Sequence, residues 1–77
     1  MIKVLFFARL QEEFGKESVE IDKSGWTVEA LKDWLEKEYH LTGVTQTMTA
    51  VNEEFTDDHY ILAEGDTIAL IPPVSGG

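Results

Sequence analysis

The first and last β-rich runs of this 77-residue chain are apolar on both of their faces. Residues 2–8 read Ile-Lys-Val-Leu-Phe-Phe-Ala, and residues 67–71 read Thr-Ile-Ala-Leu-Ile. Because the side chains of a strand alternate between its faces, Leu5 and Phe7 point away from the even-numbered apolar residues of the first run. Strands that are apolar on both faces lie in the middle of a sheet. We therefore expect the first and last strands to be neighbours at the centre of one sheet.

Between these runs the chain predicts one helix that is long enough to cover a sheet. Thr27 is a favourable N-cap, and we expect the helix to end near His40, before Gly43. Its apolar stripe follows helical spacing and comprises Val28, Leu31, Leu35 and Tyr39, with Trp34 beside it. Its charged residues are predicted to face solvent: Glu29, Lys32, Asp33, Glu36, Lys37 and Glu38.

Shorter elements account for the rest of the chain. Residues 9–14 predict one or two helical turns, with Leu10 and Phe14 at i, i+4 spacing and Gly15 as the stop. The alternation of apolar and polar residues at 18–22 predicts a half-buried outer strand. The remaining predicted elements are a third strand at 48–52 and turns at 52–54 and 64–66.

These elements predict an α+β roll of the β-grasp type, a mixed sheet of about five strands with one main helix on one face. A doubly wound parallel sheet is excluded, because it needs helices on both faces and the chain has one helix of suitable length. We assign residues 1–71 to the β-grasp domain and residues 72–77 to an extended C-terminal tail.

A single main helix leaves the other face of the predicted sheet uncovered. Leu5 and Phe7 nevertheless supply apolar side chains to that face. Large exposed apolar patches usually mark protein interfaces, so we predict a partner surface that includes these two residues. The alternative is that the short helical segment with Leu10 and Phe14 covers them within the chain.

The tail, residues 72–77, reads Pro-Pro-Val-Ser-Gly-Gly. Proline makes the start of the tail extended and stiff, and the six residues can reach roughly 20 Å. Gly76 and Gly77 have no Cβ to shield the terminal carboxylate from a reactant. The chain contains no cysteine, so carried sulfur or an acyl group would be attached at that carboxylate. The alternative interpretation is an ordinary frayed chain end.

Fifteen acidic and six basic residues give the chain a formal net charge of −9. This charge argues against nucleic acid and anionic membrane surfaces as partners. It favours a protein partner with a basic rim, or it serves solubility alone. No stretch approaches the ~20 apolar residues of a membrane span, and the first residues lead into a strand rather than a signal peptide. We expect a cytoplasmic protein.

The remaining polar and aromatic residues give weaker evidence of a functional role. His40 and His59 lie far apart without metal-ligand spacing, so we predict no metal site. Trp26 and Trp34 are expected to serve packing, and Arg9 is a candidate for pairing with a partner's carboxylate. An acidic group that lacks calcium-loop spacing is expected to be solvated: Glu53, Glu54, Asp57 and Asp58.

Taken together, these segments resemble the small subunit of molybdopterin synthase, a ubiquitin-like sulfur carrier of molybdenum-cofactor biosynthesis. The resemblance spans nearly the whole chain. It is carried by KVLFFARL at residues 3–10, TVEAL at 27–31, AVN at 50–52 and EGD at 64–66, and most specifically by ALIPPVSGG at 69–77.

The resemblance implies a reaction cycle at Gly77, with Gly76 beside it. An ATP-dependent activating enzyme would adenylate the terminal carboxylate, and a sulfur donor would convert it to a thiocarboxylate. The large synthase subunit would then take the tail and pass the sulfur to a pterin precursor, in a heterotetramer with two copies of each subunit. This chain would bind no cofactor and act as a non-catalytic sulfur donor through Gly77 and Gly76, with the active residues mainly on the large subunit. The expected partner-binding residues are Leu5, Phe7, Pro72, Pro73, Val74 and Ser75.

Three other functions remain open from the sequence. A ubiquitin-like protein modifier would use the same adenylation but end as an isopeptide on a lysine. The thiamin-pathway sulfur carrier shares the fold and tail, although Pro72, Pro73 and the chain length fit it less well. A plain binding module would leave the tail unused.

Overall fold

The computed structural model describes residues 1–72. Its elements in chain order are β1 (Ile2–Phe6), α1 (Ala8–Phe14), β2 (Ser18–Ile21), α2 (Val28–Tyr39), a 3₁₀ turn (Val44–Gln46), β3 (Met48–Val51), β4 (Glu54–Thr56) and β5 (Thr67–Ile71).

The strands form one mixed sheet in the order β2-β1-β5-β3-β4. β1 and β5 pair in parallel, and the other three pairs are antiparallel. The first and last strands are thus neighbours inside the sheet, as their two-sided hydrophobicity predicts, and β2 is an outer strand. The α+β, β-grasp prediction is confirmed. The proposed division at residues 71 and 72 stays a prediction, because residues 73–77 lie outside the described part of the chain.

The hydrophobic core lies between α2 and one face of the sheet. β1 and β5 contribute alternate side chains to it, and α2 contributes the predicted stripe. The buried residues from these three elements are Ile2, Val4, Phe6, Val28, Leu31, Leu35, Ile68 and Leu70. Each large apolar side chain buried in this way stabilises the fold by roughly 1.5–3 kcal/mol.

The first strand is two residues shorter than predicted. The strand ends at Phe6, and Ala8 begins α1 with a left-handed φ of 52° instead of continuing the strand. α1 ends at Gly15, as predicted, where a φ of 87° suits a residue without a Cβ.

α1 packs on the same side of the sheet as α2. Leu10 is buried in the core, and the Phe14 ring lies 4.7 Å from the ring of Phe6 and 5.0 Å from that of Tyr39. α1 therefore does not cover the opposite face, and the alternative that Leu10 and Phe14 shield Leu5 and Phe7 is wrong.

β3 and β4 form a hairpin whose two turn residues are Asn52 and Glu53. Both have left-handed φ angles, 50° and 70°, as two-residue hairpin turns require. The predicted turn at 52–54 is thus one residue shorter, because Glu54 already pairs with Val51. β4 was not predicted, since three residues are too few to show an alternation.

Lys32 departs from the prediction that it faces solvent. It is 4 % exposed, and its Nζ donates hydrogen bonds to the Thr47 carbonyl at 2.8 Å and to Asp58 Oδ1 at 3.1 Å. The loop that carries Asp58 crosses the first turn of α2, where its carbonyls accept from the backbone N–H groups of Val28 and Glu29. Asp58 is therefore an ion-pair partner of Lys32 as well as a partly exposed member of the predicted charge run.

Candidate partner-binding face and base of the tail

The face of the sheet turned away from both helices is apolar across four strands. We call it the open face and define it by Leu5, Phe7, Met48, Ala50, Phe55, Ala69 and Ile71. Strand register brings these residues together, because Ala69 lies opposite both Leu5 and Ala50, Ala50 opposite Phe55, and Met48 opposite Ile71.

Three of the open-face side chains are large and exposed. Phe7 is 42 % exposed, Met48 49 % and Phe55 66 %. A depression of about 520 Å³ lies among Leu5, Phe7, Ala50 and Ala69. Within residues 1–72 no helix packs over this surface, so a contiguous apolar patch of the kind that marks protein interfaces stays open to solvent.

The open face leads directly to the base of the tail. β5 ends at Ile71, which lies opposite Met48 on one side. Continuing the β1–β5 register by one residue places Phe7 on its other side. Pro72, the last described residue, follows at once and shares a depression with Arg9. A partner that covers this row of apolar residues would hold the point from which the tail departs.

The predicted roles of Pro73, Val74, Ser75, Gly76 and Gly77 fall on residues outside the described part of the chain. They stay predictions.

At the N-terminal end of β5, a buried carboxylate accepts hydrogen bonds from neighbouring segments. Asp66, 7 % exposed, accepts hydrogen bonds from Asn52 Nδ2 at 2.9 Å, the Ala63 backbone N–H at 2.8 Å and the Tyr60 hydroxyl at 3.2 Å. Asn52 also pairs with Thr67 through its side-chain oxygen and its backbone N–H. The segment predicted only as a turn at 64–66 thus ties the β3–β4 hairpin to the start of the strand that carries the tail.

The hydrogen bonds decide the ionisation of Asp66. Burial by itself would raise the pKa of the carboxyl, but the bonds from Ala63, Asn52 and Tyr60 favour the charged form and hold the pKa below its ordinary value. Burial and the hydrogen bond to Asp66 raise the pKa of Tyr60 in turn.

Asp66→Asn is expected to lower the free energy of unfolding by about 1–3 kcal/mol near neutral pH, because the amide cannot accept from all three donors. Since the folded-state pKa is lowered, this stabilisation is present above the unfolded-state pKa and is lost as the pH falls through the folded-state value. Urea denaturation at several acidic pH values measures both effects. An equal stability difference between the variant and the original chain at every pH would contradict the assigned role.

The other residues singled out in the sequence have structural positions. His40 ends α2 in a left-handed conformation, and the His59 backbone N–H donates to Asp57 Oδ1 at 2.9 Å. Trp26 and Trp34 pack edge to face, half-buried, as predicted, and Lys23 Nζ lies 4.5 Å and 4.7 Å from their ring centroids. Among residues 1–72 no group of three His, Asp or Glu side chains is arranged to hold a metal ion.

Sequence reasoning missed Met48 and Phe55 as members of the open face. Phe55 stands alone between acidic residues and a threonine, so its sequence neighbours predict a loop. A lone aromatic residue two positions after an acidic turn was the one available signal.

None of the helices within residues 1–72 is both long and apolar enough to cross a bilayer.

A mixed five-stranded sheet with parallel first and last strands inside it and the main helix packed on one face defines a ubiquitin-like protein. The chain belongs to the ThiS family, whose sequence pattern matches residues 4–77.

Full-length relatives agree with this assignment. The molybdopterin synthase sulfur carrier subunit of Escherichia coli strain K12 is 35 % identical over 81 residues, covering 100 % of both chains. The resemblance inferred from the sequence motifs is thereby confirmed.

Solved structures show the same fold. The small archaeal modifier protein 1 of Haloferax volcanii superposes with a TM-score of 0.74 at 26 % identity, covering 95 % of this chain and 97 % of that one. A chain of the complex of subunits 1 and 2 of the molybdopterin-converting factor from Helicobacter pylori 26695 gives a TM-score of 0.66 at 26 % identity, covering 99 % and 97 %.

Proposed function

We propose that this chain is the sulfur carrier subunit of a molybdopterin synthase. The observation that carries the proposal is the open face, an uncovered apolar surface that ends where the tail leaves β5. The full-length similarity to sulfur carrier subunits supports it.

The chemistry takes place at the Gly77 carboxylate. A free carboxylate is a poor acyl donor, so an activating enzyme first joins it to the α-phosphate of ATP and releases pyrophosphate. Sulfide released by a sulfur donor then attacks the acyl carbon, forms the C–S bond and expels AMP, which leaves a thiocarboxylate whose sulfur is a soft nucleophile. ATP is consumed by the activating enzyme, in the cytoplasm, and this chain binds no cofactor of its own.

The large synthase subunit is the proposed partner in the transfer step. It binds the open face, takes up the tail and supplies the groups that act on the pterin precursor, so this chain acts as a donor rather than a catalyst. Holding the thiocarboxylate beside the pterin makes the transfer effectively intramolecular. We propose an assembly of two small and two large subunits. The likeness to a chain found in a complex of subunits 1 and 2 supports a two-subunit partnership.

A second candidate is a ubiquitin-like protein modifier. The likeness to small archaeal modifier protein 1 favours it, since a modifier and a carrier share the fold. Activation of Gly77 would be the same, but the adenylated carboxyl would form an amide with a lysine of another protein. A thiamin-pathway carrier would also acquire sulfur at Gly77 and would differ in the acceptor.

Intact-mass analysis tests the charging step. Incubation with ATP, the activating enzyme and a sulfide source is expected to raise the mass by one oxygen-to-sulfur exchange, which fragmentation places at Gly77. Omission of ATP is the control and should leave the mass unchanged. Sulfur at another position would contradict attachment at Gly77. Accumulation of the chain as an amide on lysines of other proteins would support the protein-modifier function instead.

A further inference from the structure

A further depression, about 370 Å³ in volume, adjoins the open face at the open end of the β3–β4 hairpin. Met48 and Phe55, both members of the open face, form apolar parts of its lining. Asp57 and Asp58 contribute two carboxylates, and buried Lys32 contributes one ammonium group. We call this depression the acidic notch. Its lining combines an apolar wall with net negative charge.

The carboxylates of the acidic notch are held in place. Asp58 Oδ1 accepts from Lys32 Nζ at 3.1 Å, and Lys32 is itself fixed by its hydrogen bond to the Thr47 carbonyl at 2.8 Å. Asp57 Oδ1 accepts from the His59 backbone N–H at 2.9 Å. Each carboxylate has further lone pairs, so both can accept another donor without losing these bonds. A fixed acceptor loses less conformational entropy on binding than a mobile one.

Thr49 adds a polar group to the lining of the acidic notch, on the core-facing side of β3, where the register places it opposite Leu70 and Thr56. It lines the depression, is 3 % exposed, and carries the one buried side-chain oxygen among residues 1–72 that has no hydrogen-bond partner. Buried hydroxyls are nearly always paired. A hydrogen-bonding group that reaches this side of the depression would find the hydroxyl an available partner.

We propose that the acidic notch receives a lysine or arginine side chain of the large subunit. The inference rests on the proposed function and names a contact within that interface. The aliphatic stem of the basic side chain packs on Met48 and Phe55, and its cationic head bonds to Asp57, the carboxylate that Lys32 does not neutralise. The surface is continuous with the open face, and the chain's net charge of −9 is complementary to a basic residue.

The test compares Asp57→Asn with Asp33→Asn, two variants that each remove one negative charge. The amide at position 57 still accepts from the His59 N–H, so the loop is retained. Asp33 is exposed on α2, away from the open face. Binding to the large subunit from the same organism is measured by surface plasmon resonance at two salt concentrations. Asp57→Asn is expected to weaken affinity about tenfold through faster dissociation, whereas Asp33→Asn stays within about twofold and acts on association.

Two results would overturn the acidic notch as a contact. An equal loss in both variants would show a general charge effect, and an unchanged dissociation rate for Asp57→Asn would show that no partner group reaches the carboxylate. If the original chain itself fails to bind the large subunit, the proposed function falls, which is a different result from either of these. Circular dichroism of both variants verifies that the fold is kept.

Discussion

Replacement of Gly77 by valine is expected to abolish thiocarboxylate formation, and extension of the chain by one residue beyond Gly77 is expected to do the same. A β-branched side chain crowds the carbonyl that the activating enzyme must reach, and an added residue moves the reacting carboxylate away from its position. When the reacting carboxylate is misplaced, most of the rate gain from holding it beside its reaction partner is lost. That gain corresponds to about 7–11 kcal/mol of the activation barrier. Intact-mass analysis after incubation with ATP, activating enzyme and sulfide measures the charged fraction.

Gly76→Ala is the matched control for this prediction. Its methyl group adds bulk where the activating enzyme must accommodate the tail, but it does not lie on the residue whose carbonyl carbon is attacked. Charging should therefore be reduced and not lost. All three changes lie outside residues 1–72, and each variant is expected to keep the thermal stability of the original chain. Normal charging of the Gly77→Val chain would place the reactive group elsewhere and remove the basis of the carrier proposal.

Phe7→Ala is expected to weaken the complex with the large subunit about thirtyfold, which corresponds to ~2 kcal/mol. Phe7 is a large aromatic side chain on the open face beside the base of the tail, and aromatic anchors of this kind dominate interface energies. Because it is 42 % exposed in the free chain, truncation removes little of the core. Titration calorimetry measures the affinity, and a thermal melt verifies the fold.

Ile61→Ala is the control for Phe7→Ala. Ile61 is also large and exposed, at 64 %, but it lies beside Thr27 at the start of α2 and not on the open face. Its truncation should leave the affinity unchanged. Equal affinity losses in the two variants, or unfolding of the Phe7→Ala chain, would mean that Phe7 is not an interface anchor.

The central positions of the first and last strands could be predicted because both strands are apolar on both faces. A strand buried on both faces carries apolar residues at odd and even positions, so the central places of β1 and β5 follow from their own sequences. Leu5 and Phe7 then identify the uncovered face, because one amphipathic helix can cover only one side. The charged face of α2 could also be predicted, because its charged residues fall between the apolar positions of a helical repeat.

The errors occurred where a contact from another segment decides the outcome. Lys32 has the spacing of a solvent-facing residue, but two distant segments reach it. The loop after β4 supplies Asp58, and the residue before β3 supplies the Thr47 carbonyl. Ala8 extends an apolar run and looks like strand, yet its left-handed φ turns the chain so that Leu10 reaches the core. Local sequence records neither event, since both depend on residues far along the chain.

The parallel pairing of β1 with β5 also has a mechanical consequence. β5 is hydrogen-bonded on both sides, to β1 and to β3, so a force applied at its C-terminal end is shared by two ladders of hydrogen bonds. A pull along a strand loads those bonds together rather than one after another, as peeling an edge strand would. In the proposed function, the folded domain would therefore keep its sheet intact when a partner takes hold of its C-terminal residues.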